Sequence, residues 1–194
     1  MSGNGKSPPL IHRKLALLGF RAVGKSSLTN SFVNGSFSEA YDPTIEATMS
    51  KLVRFRKVHF QCDIVDTAGM DEYSRLSRNA SMGVHGYVLV FSITSRQSLD
   101  TLSQVNDVLL NTLGDAPEDQ VPRVLVGSMK DLDNMRQVSH EEASAFARSI
   151  GVPYVECSSK TGENVADVFH TLLKEIEKDD GLLTEAGPSP CVIQ

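Results

Sequence analysis

Two stretches hold residues whose types and spacing fit phosphate chemistry: GFRAVGKSSL at residues 19 to 28 and DTAGMDEY at residues 66 to 73. The first matches G-x-x-x-x-G-K-[ST], with an apolar run before it and a helical pattern after it, the context in which that motif has a mechanism. Gly19 and Gly24 let successive backbone N–H groups and a helix N-terminus face an anion. Lys25 supplies a point charge to outer phosphates, and Ser26 a hydroxyl for Mg²⁺. Gly5-Lys6-Ser7 also spells GKS, but it lacks the first glycine at the right distance and follows no strand. In the second stretch Asp66 is suited to the water shell of Mg²⁺, and Gly69 offers a backbone N–H that can approach a terminal phosphate. Together the two stretches point to a nucleoside triphosphate whose phosphate state is sensed by a loop.

An alternating α/β pattern positions them. Short apolar runs at 14–18, 49–55, 60–65, 87–91, 123–126 and 153–157 read as strands. Leu99, Leu102, Val105, Leu109 and Leu113 recur at helical spacing, as do Val165, Val168, Phe169, Leu172 and Ile176. Ser139 with Glu142 forms a capping box that opens a helix, and Gly151 would close it. Strand then helix, repeated, predicts a mostly parallel sheet covered on both faces. Residues 1–13 and 179–194 read as flexible tails around a single domain at 14–178.

The totals narrow the class. A chain of 194 residues with 40% hydrophobic and 22% charged residues is an ordinary globular composition. The formal net charge of -5 argues against nucleic acid as the main partner. Lys51, Arg54, Arg56 and Lys57 form a basic run, for which blocking of an exposed strand edge is the plainer reading than a nucleic-acid or lipid contact. No apolar run approaches the ~18 residues of a membrane span. No secretory signal is visible, Ser2 stands where myristoylation needs glycine, and a cytosolic protein is expected. Cys62, Cys157 and Cys191 show no disulfide framework, and the five histidines have no metal-ligand spacing.

Asp42-Pro43-Thr44, Asp66-Thr67-Ala68-Gly69, the xxKD element Ser128 to Asp131, and Ser158-Ser159-Lys160 stand in an order and spacing that resemble the Ras superfamily of small GTPases. The likeness spans about residues 13 to 178. Within the superfamily, RAVGKSSL, YDPTIE and DTAGMDEYS are most similar to the Rheb branch, in which Arg21 replaces a cradle glycine. The resemblance implies the fold of a small G protein: a three-layer P-loop NTPase with a six-stranded mixed, mostly parallel sheet flanked by helices. It also implies GTP and GDP as ligands with Mg²⁺, held by Ser26, Thr44 and, through water, Asp66. The cradle would comprise Gly19, Arg21, Ala22, Val23, Gly24, Lys25, Ser26 and Ser27. Thr44 would be the switch I residue that reaches the metal and the γ-phosphate, Tyr41 would cover the phosphates, and Gly69 would sense the γ-phosphate. Phe37 would pack beside the base, Asp131 would read guanine, and Ser128, Met129, Ser158, Ser159 and Lys160 would complete the base site.

Two departures from the family pattern matter. Met70 stands where most members keep a water-orienting glutamine, and a thioether cannot hold that water, so slow hydrolysis is expected. Met70 has two roles open to it, packing switch II onto a neighbour or holding the GTP state. The family's NKxD reads Ser128-Met129-Lys130-Asp131, so the Asn amide between base and cradle and the lysine stem over the base are lost. Guanine bound less tightly is expected.

The closing Cys191-Val192-Ile193-Gln194 fits a C-a-a-X box for farnesyl. With no basic residue after Lys178, one prenyl chain predicts marginal anchoring to the cytosolic face of internal membranes, with a cytoplasmic pool. By likeness the partners are the target-of-rapamycin kinase complex as effector and a tuberin-containing complex as activating protein, with the protein itself a monomer. A non-hydrolysing guanine-nucleotide scaffold is the rival reading. A P-loop kinase of small molecules fits poorly, because no segment reads as a substrate domain or lid.

Overall fold

The structure, a computed structural model, describes residues 10–39, 43–56, 58–71, 74–114 and 121–179. Six strands, β1 (Leu10–Leu18), β2 (Glu46–Phe55), β3 (Val58–Thr67), β4 (Gly86–Ser92), β5 (Arg123–Ser128) and β6 (Tyr154–Glu156), form one sheet in the order β2-β3-β1-β4-β5-β6. The β2–β3 pair is antiparallel and every other pair is parallel. The helices are α1 (Lys25–Asn34), the single turn α2 (Arg78–Ser81), α3 (Arg96–Leu113), α4 (His140–Ser149) and α5 (Val165–Asp179), with a 3₁₀ turn at Lys130–Met135.

Alternation within the strands sorts the core into two layers. Leu15, Leu17, Phe60, Cys62 and Ile64 face α1 and α5, where the Phe32 and Phe169 rings stack with centroids 3.8 Å apart. Ala16, Leu18 and Val65 face the opposite way and pack with Leu99, Leu102 and Leu109 of α3 and Ala143 and Ala147 of α4. Strands β4 and β5 are buried on both faces, so their sequences run apolar without alternation. The capping serine is in place, with the Ser139 hydroxyl accepting from the Glu142 N–H at 3.2 Å. The Glu142 carboxylate turns instead to Arg96.

Strand β1 begins ahead of the apolar run at 14–18. Leu10 to Arg13 continue β1, in register with His59 to Cys62 of β3, because ladder hydrogen bonds reward extension even where the side chains are partly exposed. Residues 1–9 and 180–194, including Cys191, lie outside the described residues. Among the described residues no helix is long and apolar enough to cross a membrane. Cys62 and Cys157 are free buried thiols, their pKa values pushed up to about 12 chiefly by burial.

The topology decides where chemistry can sit. From β1 the sheet continues to β3 on one side and to β4 on the other, which makes a switch point at the carboxyl ends of the parallel strands. GFRAVGKS follows β1, DTAG closes β3, SMKD closes β5, and the SSK loop follows β6.

Candidate functional site

At Gly19 a Cβ would lie 2.1 Å from the Val90 carbonyl oxygen of β4, so only glycine lets the loop turn there. Gly24 caps α1 in the left-handed conformation (φ 88°), and Ala22 shares it at φ 58°, an uncommon setting for a residue with a side chain. Val23 is buried and pins the loop to the core. Helix α1 has no side-chain cap and no acidic residue in its first turn, so its leading N–H groups are left open to an anion. The Lys25 ammonium donates to the Gly19 and Phe20 carbonyls at 3.0 and 2.9 Å. Burial lowers its pKa to about 8 against the pull of Asp66. A desolvated ammonium held by neutral carbonyls is suited to a phosphate.

Beside it the Ser26 and Thr44 hydroxyls lie 2.7 Å apart, and Asp66, 2% exposed, keeps one carboxylate oxygen without a partner. Burial raises the Asp66 pKa, with the Ser26 hydroxyl and Lys25 opposing. An orphaned buried carboxylate oxygen next to two hydroxyls is a hard-cation donor set, so these residues fit Mg²⁺. Among the described residues no cluster of three His, Cys, Asp or Glu exists, so such an ion would rely on hydroxyl, water and phosphate oxygens.

The segment after β3 is pressed onto the cradle. A Cβ at Gly69 would meet the Arg21 Cα at 2.4 Å, and the Met70 N–H donates to the Gly19 carbonyl at 2.9 Å. The Met70 side chain is 5% exposed and joins the α3-side core. Of its two roles, packing is the one the geometry displays: the thioether fills a core position that a glutamine would occupy only by burying an amide.

On the base side Ser128 is buried at the end of β5, its hydroxyl 2.6 Å from the Val23 carbonyl and 2.9 Å from that of Phe91. Serine thus keeps a link of its own between the end of β5 and the cradle loop, on the side away from the amide that the family's Asn would offer a base. Met129, left-handed at φ 61°, extends its methyl toward Gly24 and accepts a hydrogen bond from the Ser92 hydroxyl at 3.2 Å. Asp131 accepts from the buried Ser158 hydroxyl at 2.6 Å, which itself accepts from the Thr161 N–H at 3.1 Å. These bonds bring Asp131 and the Ser158-Ser159-Lys160 loop together, with Phe37 of the α1 side sharing a cavity wall with Ser159 and Lys160. Tyr41 lies outside the described residues.

Four supporting residues have no motif to announce them. Arg136 grips the Glu156 carboxylate with two hydrogen bonds of 2.8 and 2.9 Å, and Tyr154 donates to it at 2.7 Å. The clamp ties the turn carrying Asp131 to the strand that delivers Ser158. Despite a desolvation penalty, the hydrogen bonds from Arg136 and Tyr154 leave the Glu156 pKa below the ordinary glutamate value. Glu39 pairs with Lys160 at 2.8 Å across the base side.

The family model described as "Ras family" matches residues 14–178. The chain belongs to the Ras family: the cradle, the hydroxyl and carboxylate triad and the Asp131 loop define a P-loop small GTPase. Within it the chain is Rheb-like. It is 43% identical to the "GTP-binding protein Rheb homolog" of Dictyostelium discoideum, over 94% of each chain. To the "GTP-binding protein Rheb" of Homo sapiens it is 42% identical over 93% of this chain and 96% of the relative. A Rheb homolog of Drosophila melanogaster is 44% identical over 89% of this chain and 93% of its own.

Proposed function

We propose that this GTPase cycles between GTP and GDP with slow intrinsic hydrolysis, and that its phosphate state is read through Thr44 and Gly69. The observation that carries the proposal is the meeting of Lys25 in the cradle with the Ser26, Thr44 and Asp66 oxygens at one end, and Asp131 beside Ser158 at the other. In this reading the cradle N–H groups and Lys25 hold the outer phosphates, and Arg21, Ala22, Val23, Gly24 and Ser27 shape the backbone around them. Ser26, Thr44 and Asp66 would hold Mg²⁺, which supplies charge neutralisation of the phosphates when bound. Gly69 carries an N–H toward the γ-phosphate, and its loss frees the segment for rearrangement. Asp131 accepts from the guanine N1 and N2 groups, and the Ser159 N–H meets O6. Phe37, Lys160 and Met129 pack about the ring.

Met70 orients no water, because its side chain is in the core. Hydrolysis then depends on charge stabilisation by the cradle and metal, with no positioned nucleophile. Arg21 at the cradle crowds an arginine inserted by an activating protein.

The proposal extends to partners and place. The Rheb likeness points to a target-of-rapamycin kinase complex as effector and a tuberin-like activating complex, and Cys191 is taken as the site of a farnesyl group on the cytosolic face of internal membranes. Chemical identification of the nucleotide released when freshly purified protein is denatured tests the core of the reading. GTP retained in part is expected, and adenine nucleotide or none would overturn it. For the anchor, Cys191→Ser should move the protein wholly to the soluble fraction with nucleotide binding intact.

A further inference from the structure

A cavity of about 510 Å³ opens between α1, β2, α5 and the loop after β6, outside the phosphate cradle. Phe32, Phe37 and Val165 give it apolar surface, while Lys51, Arg54, Lys160 and His170 stand in its wall, which among the described residues holds no aspartate or glutamate. In a chain of formal net charge -5, three cations, Lys51, Arg54 and Lys160, on one wall are not an average surface. Among the described residues two of them have no acidic partner. Lys51 donates to the Phe32 carbonyl and rests 4.6 Å from the Phe32 ring centroid, and no ion pair engages Arg54 among the described residues. Among the described residues Lys160 pairs with Glu39 alone, whose side chain is 76% exposed and can swing into solvent. The volume is that of a small-ligand site.

We propose that this cavity binds a small polyanion carrying two or more phosphate groups on a ring-sized body, and that its occupancy alters nucleotide residence. Phosphate suits the wall better than a single carboxylate. Each phosphate monoester carries about -1.5 to -2 charge, and two lysine point charges, with the charge of Arg54 on the same strand edge, favour phosphate. The coupling follows from shared residues: the ligand takes Lys160 from Glu39 and rests against Phe37 and Ser159, which also face the base site. Edge blocking by the basic run on β2 and ligand binding by it are compatible, since β2 is the outermost strand. The coupling rests on the base-site assignment above, whereas the binding does not. The phosphate groups could belong to a lipid headgroup or to a free inositol phosphate.

The test uses the full chain loaded with GDP and Mg²⁺, so that the cradle is filled. It is titrated with inositol trisphosphate, and in parallel sedimented with phosphatidylcholine vesicles with and without phosphatidylinositol bisphosphate. One saturable site is expected, with affinity reduced about tenfold or more in Lys51→Gln/Arg54→Gln. Ala166→Glu, which adds an acid to the wall and leaves β2 untouched, should do the same. The ligand should change the GDP release rate of the parent and not of either variant. Binding of the free trisphosphate assigns a soluble ligand, and binding only on vesicles assigns a lipid headgroup. Failure to saturate in both arms, or equal binding by parent and both variants, would overturn the site. A parent that does not retain GDP refutes the nucleotide reading instead, and the same titration on that protein still decides the cavity.

Discussion

The phosphate end and the base end of the site are built on different principles. At the phosphate end the candidate binding groups are backbone N–H donors, one lysine and three oxygen side chains, gathered where the glycine-dependent loop between β1 and α1 meets Thr44 and the end of β3. At the base end two of the family's side chains are exchanged for others, and the links are made by side chains: Ser128 reaches the Val23 carbonyl, Met129 accepts from Ser92, and Asp131 accepts from Ser158. A site made of backbone geometry tolerates little, because a Cβ at Gly19 or Gly69 would collide with backbone. A site made of side-chain links tolerates substitution wherever a new residue can restore the link.

If the contrast is sound, damage at the phosphate end is the most severe. Lys25→Ala should weaken GDP retention by about a hundredfold, the scale of a lost charged hydrogen-bond set, and Ser26→Asn should lower Mg²⁺ dependence and retention together. Filter binding or analogue release would show it, and unchanged retention in both variants would dismantle the cradle assignment.

Glu156→Gln comes next, because the Arg136 clamp loses its charge and most of its hold. GDP release should quicken by about tenfold with the phosphate contacts intact. Acid gives an independent check. The Glu156 carboxyl titrates below its ordinary range, so its contribution is complete above the unfolded glutamate value and is lost as pH falls through the lower folded value. Stability and residence should therefore fall with acid in the parent beyond what Glu156→Gln shows, since glutamine cannot titrate. Identical acid profiles would count against the clamp.

Ser128→Ala separates a working link from a vacant one. It leaves the Val23 carbonyl without its partner and should speed release by about fivefold, whereas Ser128→Asn, which can span the same gap, should stay within about twofold of the parent. Equal rates for all three would mean that Ser128 does not couple base and cradle.

The smallest effect belongs to Met70→Gln. The position is buried and its N–H is bonded to Gly19, so an amide there enters the core and is not delivered to a water. Hydrolysis should change by less than about threefold, with a stability loss of about 1 to 3 kcal/mol from the buried amide. A large rise in turnover would place that side chain outside the core during catalysis.

Much of this was legible in the sequence because it is local. The cradle is a contiguous run whose glycines, lysine and serine act within one turn, and the buried strands announce themselves as apolar runs. Arg136 with Glu156, Lys160 with Glu39, and Ser128 with Val23 were not legible, since their members lie 20, 121 and 105 positions apart. Each pairs residue types common on any surface, and only the strand order brings them together. Strand β1 starts ahead of the apolar run at 14–18 for a related reason: Leu10 to Arg13 follow a segment rich in glycine and proline, and what makes them strand is the β3 ladder alongside. Met70 was half legible. Its type showed what it could not do, and only the packing showed where it goes.

These residues together predict a guanine-specific switch that hydrolyses its ligand slowly without help from position 70. Phosphate release in Mg²⁺, followed to several times the protein concentration with GTP and separately with ATP, tests it most directly. Slow release that passes one equivalent with GTP, none with ATP, and loss of the GTP signal in Lys25→Ala are predicted. GTP held indefinitely without phosphate release would contradict the claim and leave a nucleotide-binding scaffold, and equal turnover of ATP would contradict the reading of Asp131.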